Sequence, residues 1–222
     1  MAQQYFSYLP DFEYVSRLPE KKNIFDYVKV KNIFKRAAIR EDIFNELSFF
    51  TKYQVQDNER PDNVAYEVYR DANLDWLVML ANNYVNYESE WPLDNQSFEN
   101  YLLYKYGSTE KIYGIHHYES GLIKDSLNNV IFPEGKHVDS DFSIEYFDRG
   151  LNQYVTSTST VEVTNLTYEQ RIQDDRRNIF VLKDKYVGLV IDDLEQLMPY
   201  KKGSTQYVKD NLVKGNNIRL YQ

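Results

Sequence analysis

Residues Lys52–Asn83 read KYQVQDNERPDNVAYEVYRDANLDWLVMLANN, and the order of signals in this stretch decides the fold. Tyr53 and Val55 alternate with polar residues, the period of a half-buried strand. Asp57-Asn-Glu-Arg-Pro61 is a turn, and Pro61 suits the first position of a helix, where its missing N–H costs nothing. Arg60 is a poor N-cap, whereas Asp62 lies near the positive end of the helix dipole. Val64, Ala65, Val68 and Tyr69 then line one helical face. Asn73 is a candidate cap for a second helix, with Asp75 in its first turn. Leu74, Leu77, Val78 and Ala81 form the inward stripe of that helix, and Trp76, Met79 and Leu80 widen the apolar surface almost to a full circle. A helix hydrophobic all round is buried all round. A module of about 50 residues buries a low fraction of its surface, so something else must cover Trp76 and Met79. Either another subunit does so, or other parts of this chain do, with Trp91 and Pro92 as candidates.

On the N-terminal side lies an irregular aromatic arm. Phe6, Tyr8, Phe12 and Tyr14 are spaced by polar residues and punctuated by Pro10 and Pro19, which favour extended or turn conformations. Rings spaced this way need another surface to be buried on. Ile39, Ile43, Phe44 and Leu47 recur at helical spacing and predict a short helix. Beyond the module, Phe98, Tyr101, Leu102 and Lys105 give another helical pattern. From residue 107 the chain becomes strand-rich. Val130-Ile-Phe132 precedes the turn Pro133-Glu-Gly135, and Phe142, Ile144 and Tyr146 alternate with polar neighbours. Thr156–Thr160 reads as a loop or edge strand, Thr167–Arg177 as a charged helix, and Ile179–Leu182 as a buried strand. Val190, Ile191, Leu194, Leu197 and Met198 mark a final amphipathic helix stopped by Pro199. The polar tail from Tyr200 is expected to order only on a partner. The expectation is an α+β fold in four segments: arm and short helix over 1–50, module over 51–106, mixed strand-rich domain over 107–198, and polar tail over 199–222.

Composition excludes several classes. The 222-residue chain carries 26 Lys and Arg against 34 Asp and Glu, a net charge of −8, with no long basic run. A nucleic-acid groove needs clustered cations, so nucleic acid is not an expected partner. There is no cysteine, hence no disulfide and no thiolate metal site. The N-terminus lacks the basic-then-apolar order of a signal peptide, and no stretch approaches the roughly 20 apolar residues of a membrane span. Tyr is abundant, at 21 residues beside 12 Phe and 2 Trp, and such rings serve equally as internal packing or as interface anchors.

Catalytic patterns are weak. His116 and His117, with Glu119 and His137, are the metal candidates, but neighbours on a strand point to opposite faces and chelate poorly together. Asp174-Asp175 and Asp192-Asp193 diverge on a helix and cannot flank one bond. No nucleophile elbow or phosphate-binding glycine loop occurs. No catalytic, metal or cofactor residue is therefore assigned, and the chain is expected to bind rather than catalyse.

The module resembles LysM: Tyr53-x-Val55, an acidic turn, Val64-Ala65 in the first helix and Leu80-x-Asn82 closing the second. Asn58-Glu59-Arg60 stands where that family has Gly-Asp-Thr, which counts against glycan binding. A broader likeness rests on NIFKRAAI, DNERPDNVAYEVYRDANLDWLVMLANN, EWPL, IHHYE and VTNLTYEQRIQDDRRNIFVLKDKY, with Tyr5-Phe6-x-x-Leu9-Pro10 in the arm. Over roughly residues 5 to 198 the chain is similar to the baseplate wedge proteins encoded by gene 53 of T4-like contractile-tailed phages. Their common tyrosine-glycine step after the first helix is Tyr69-Arg70 here. The resemblance implies a non-enzymatic virion protein, assembled in the host cytoplasm, that joins wedges of a hexagonal baseplate around its hub. Its implied partners are other wedge and core subunits, including the small subunit on which the sheath starts. Residues expected to meet such partners are Tyr5, Phe6, Tyr8, Phe12, Trp76, Met79, Leu80 and Trp91. The alternative is a peptidoglycan-binding LysM-type module of a cell-wall-associated protein.

Overall fold

A computed structural model describes residues 4–16, 26–203 and 205–215; Pro19 of the arm lies outside them. In chain order the elements begin α1 (Tyr5–Tyr8), β1 (Asp11–Val15), β2 (Tyr27–Lys31), α2 (Glu41–Phe44), β3 (Phe50–Gln54), α3 (Pro61–Tyr69), α4 (Asp75–Ala81) and α5 (Tyr87–Glu90). They continue with α6 (Asn95–Tyr106), α7 (Thr109–Ile112), β4 (Ile115–Ser120), β5 (Ile123–Lys124), β6 (Val130–Phe132), β7 (His137–Val138), β8 (Ile144–Asp148), β9 (Gln153–Ser157), β10 (Thr160–Thr164) and α8 (Asn165–Arg177). The chain ends with β11 (Asn178–Leu182), α9 (Val187–Leu197), β12 (Tyr207–Lys209) and β13 (Leu212–Lys214). Helices and small sheets alternate, so the fold is α+β. The chain divides into two compact units, Met1–Trp91 with Asn178–Gln222, and Pro92–Arg177.

The first unit is built around the strand–helix–helix order expected from Lys52–Asn83. Pro61 occupies the first position of α3, and Arg60 caps it without a side-chain hydrogen bond. The helix stops at Arg70, which takes the left-handed conformation at φ +60°; for a side-chain-bearing residue that backbone costs about 1–2 kcal/mol. The second helix begins earlier than Asn73 would place it. Asp71 accepts the Asn73 backbone N–H at 3.0 Å and caps a single 3₁₀ turn over Ala72–Leu74, and α4 continues from Asp75.

The sheet of this module is closed from far along the sequence. Strand β11 pairs antiparallel with β3, from Asn178 opposite Gln54 to Leu182 opposite Phe50. Asn82 joins the end of α4 to that strand: its side-chain amide donates to Val78 O and Phe180 O, each at 2.8 Å, and accepts the Phe180 N–H at 2.8 Å. Leu77, Val78, Val64, Ala65, Ile179 and Leu182 form the centre of an apolar core that also takes in Val190 and Leu194 from α9 and Met198 just after it.

The described part of the polar tail, residues 199–203 and 205–215, pairs within the first unit, where the sequence led to the expectation of order only on a partner. Strand β13 lies parallel to β1, and the sheet runs β12-β13-β1-β2. Backbone hydrogen bonds supply the reason: Asp11 N–H donates to Asn211 O at 2.8 Å, and Leu212 is buried.

In the second unit, β4 is flanked by β10 and β7, with β5–β6 and β8–β9 as separate hairpins. Its buried apolar residues among those described are Leu102, Ile112, Ile123 and Val163. Polar side chains do the rest. Glu169 of α8 is buried and receives Lys105 Nζ at 2.5 Å, Tyr106 OH at 2.9 Å and Tyr101 OH at 3.3 Å. Burial pushes its pKa up, but these donors and the lysine charge outweigh it and hold the carboxyl below the ordinary value. Asp148 accepts the Ser126 hydroxyl and the backbone N–H groups of Ser126, Gly150 and Leu151, pinning one hairpin to the other.

Candidate functional site

The first unit contains a cleft of about 680 Å³ between the N-terminal arm and the start of α4. Arm residues Tyr5, Phe6 and Leu9 form one wall, and Trp76, Met79 and Leu80 form the other. The arm is held in place by Leu9, which is buried, by Lys31 Nζ donating to Leu9 O at 2.8 Å, and by the Ala37 N–H donating to Tyr5 OH at 3.4 Å.

Of the two ways left open for covering the second helix, the chain itself covers Trp76, with arm rings in place of the candidates Trp91 and Pro92. Trp76 is 8% exposed. Its ring lies 5.8 Å from Tyr5 and 5.9 Å from Tyr8, centre to centre, so the aromatic arm spends two of its rings on the indole. Leu80 is buried as well, and Met79 is half-buried. Trp91 is 2% exposed: its indole N–H donates to Glu59 O at 2.9 Å, and its ring packs with Tyr84 and Tyr87. Phe12 is half-buried, stacked on Tyr14 across β1. Of the eight residues singled out from sequence, Tyr5, Phe6, Trp76, Met79 and Leu80 meet in the cleft. Only Phe6 among them is broadly exposed, at 61%.

Sequence reasoning missed the rest of the rim. Ile33 and Val85 line the cleft at 67% and 69% exposure. Their signal was local: each is an apolar residue in a polar turn, where no helical or strand period demands one. Exposed apolar groups clustered on a concave surface mark interaction sites.

The charges around the cleft are uneven. Arg60 is paired with Asp62 at 3.2 Å. Asp75 accepts the Trp76 backbone N–H at 2.7 Å. Lys35 donates to Met198 O and Pro199 O at 2.6 and 2.8 Å, and Arg36 donates to Asn83 at 3.3 Å. Among the described residues neither cation has a carboxylate partner. Burial first, and then the neighbouring Lys201, lower the Lys35 pKa. The Trp76 indole N–H is buried with no acceptor among the described residues, a state that costs about 1–3 kcal/mol.

The histidines depart from expectation. His116 Nδ1 and His117 Nδ1 lie 2.7 Å apart, so the rings meet rather than diverge. The cause is a β-bulge: Val163 pairs with His117 and Thr164 with Ile115, leaving His116 as the extra residue, re-aimed onto Tyr168 at 4.0 Å. His117 stacks on His137 at 3.9 Å and bonds Glu119, which is paired with Arg171. Among the described residues no group of three or more His, Asp or Glu could hold a metal ion. None of their helices is long and apolar enough to cross a membrane.

A family model for base plate wedge protein 53 matches residues 4–197, which include the arm, both walls of the cleft and β11. The chain belongs to this family. It is therefore a structural protein of the phage tail baseplate. No curated protein matches it. Family membership implies contact with other baseplate proteins, and the cleft, with its exposed apolar rim, is the candidate surface for one of them.

Proposed function

We propose that this chain joins wedge subunits of a contractile tail baseplate around the hub through protein–protein contacts. The proposed partners are other wedge and core subunits, including the one on which the sheath begins. Copies stand around a hexagonal baseplate and are assembled in the host cytoplasm. The observation that carries the reading is the cleft rim: Phe6, Ile33 and Val85 are exposed together on a wall made of buried, well-supported residues. Interfaces draw their affinity from such apolar anchors more than from charge. The enclosed Trp76 now has a supporting role, holding the arm that presents Phe6.

The test mixes purified wedges with the chain carrying Phe6→Ser and Val85→Ser and counts closed baseplates by electron microscopy. Both positions are exposed, so the double variant should melt like the parent. Loss of ring closure at unchanged melting temperature is expected. Normal closure would remove the rim from the joining surface.

The order β3, α3, α4, β11 is also that of a LysM-type module closed by a distant second strand, and this favours a second reading, peptidoglycan binding. Asn58-Glu59-Arg60 in the first turn counts against it. Strong retention on purified peptidoglycan would support that reading over wedge joining.

A further inference from the structure

The position of charge around the cleft goes further than an apolar docking site. Ile33, Lys35 and Arg36 follow one another along one side, where Lys35 meets two carbonyls and the Tyr200 ring and Arg36 meets an amide oxygen, neither with a carboxylate partner among the described residues. Lys201 lies close enough to Lys35 to act on it electrostatically, adding to the positive field. The opposite side holds Asp62, already paired with Arg60, and Asp75, engaged with its own helix. In a chain of net charge −8, the cleft lining carries Lys35, Arg36 and Arg60 against Asp62 and Asp75, a local excess of positive charge beside exposed apolar groups. Two further features point to a ligand. The Trp76 side chain lines the cleft, and its indole N–H is buried without an acceptor among the described residues. The volume of about 680 Å³ fits a short segment of polypeptide and is too small for a folded domain.

We infer that the cleft receives a short segment of another protein that combines apolar anchors with a carboxylate, the anchors packing on Phe6, Ile33 and Val85 and the carboxylate facing Lys35 and Arg36. This rests on the cleft being the joining surface proposed above and names the chemistry of what enters it. Charge complementarity of this kind sets partner choice and orientation, while the apolar contacts supply most of the affinity.

The experiment uses the full chain and three fluorescein-labelled decapeptides with the same Leu-Trp-Leu centre, flanked by Asp, by Asn or by Lys. Fluorescence anisotropy is expected to rank them Asp, then Asn, then Lys, with about two- to fivefold between the first two, the scale of an exposed ion pair. Arg36→Gln should shrink that gap without changing the melting temperature. Ile33→Ser should weaken all three peptides together. A ranking independent of flanking charge, or equal binding to Ile33→Ser and the parent, would overturn the inference. So would concentration-dependent self-association lost in the same variants, because a second copy would then be the occupant. The wedge-closure assay separates this from the broader reading. If closure fails in the Phe6→Ser, Val85→Ser variant while the peptides do not rank by charge, the site stands and its partner chemistry is wrong.

Discussion

The first unit encloses Val64, Leu77, Val78 and Leu182 with essentially no exposure, while the second unit seals its interior with Glu169, Asp148, Ser120 and Gln173 beside a few apolar residues. The difference lies in how each withstands change. An apolar core is held by many weak, non-directional contacts and loses stability in proportion to volume removed. A buried carboxylate is satisfied only while its donors stay in place, and removing one member leaves the others unpaired. The cleft proposed as the joining surface stands on the first kind of support.

The largest effect should follow Leu77→Ala. The residue is fully buried, and its truncation should cost the first unit about 2–5 kcal/mol, read as a lower denaturant midpoint by a probe near Trp76. A loss below about 1 kcal/mol would mean the site collapses readily and the contrast between units is overstated.

Next is Glu169→Gln, expected to cost about 2–4 kcal/mol in the second unit alone, since it leaves Lys105 without its carboxylate. Its pH dependence has a definite sign. Glu169 has a folded pKa below its ordinary value of 4.5. The stabilisation is therefore present above that value and is lost as pH falls through the lower, folded pKa. Acid titration of the parent should show this loss, and Glu169→Gln should remove it. A variant as acid-sensitive as the parent in that range would assign the effect elsewhere.

Asn82→Ala should cost about 1–3 kcal/mol by unpairing the Phe180 backbone from the end of α4, with faster amide exchange at Phe180 as its signature. Arg70→Gly works in the opposite direction. It relieves a side chain held at φ +60° and should raise stability by about 1 kcal/mol. Smallest of all, Asp42→Asn removes a pair with Arg40 that is exposed on both sides, and no change in melting temperature beyond experimental error is expected.

These positions also show how much the sequence could tell. The helices α3, α4 and α9 and the strand character of Ile179–Leu182 were legible because their apolar periods are strong, and α8 was legible as a charged run. That Ile179–Leu182 closes the sheet of β3, across the whole of residues 92–177, was not, because the period of one strand does not name its partner. Asn82 was visible as part of a motif, but its role depends on that same distant strand. The tail looked polar because β12 and β13 are short and buried on one face only at Leu212. The bulge at His116 reversed a rule of strand alternation that holds only for regular pairing. For the site, Trp76, Met79 and Phe6 stood out as excess apolar surface. What covers the indole was hidden because the arm that reaches it has no periodicity of its own.

The most direct test is hydrogen–deuterium exchange on the chain alone and within assembled baseplates. The account predicts new protection on assembly at residues 4–9, 33–36 and 83–87, around the cleft. Unchanged exchange in all three segments, with new protection confined to residues 92–177, would contradict it.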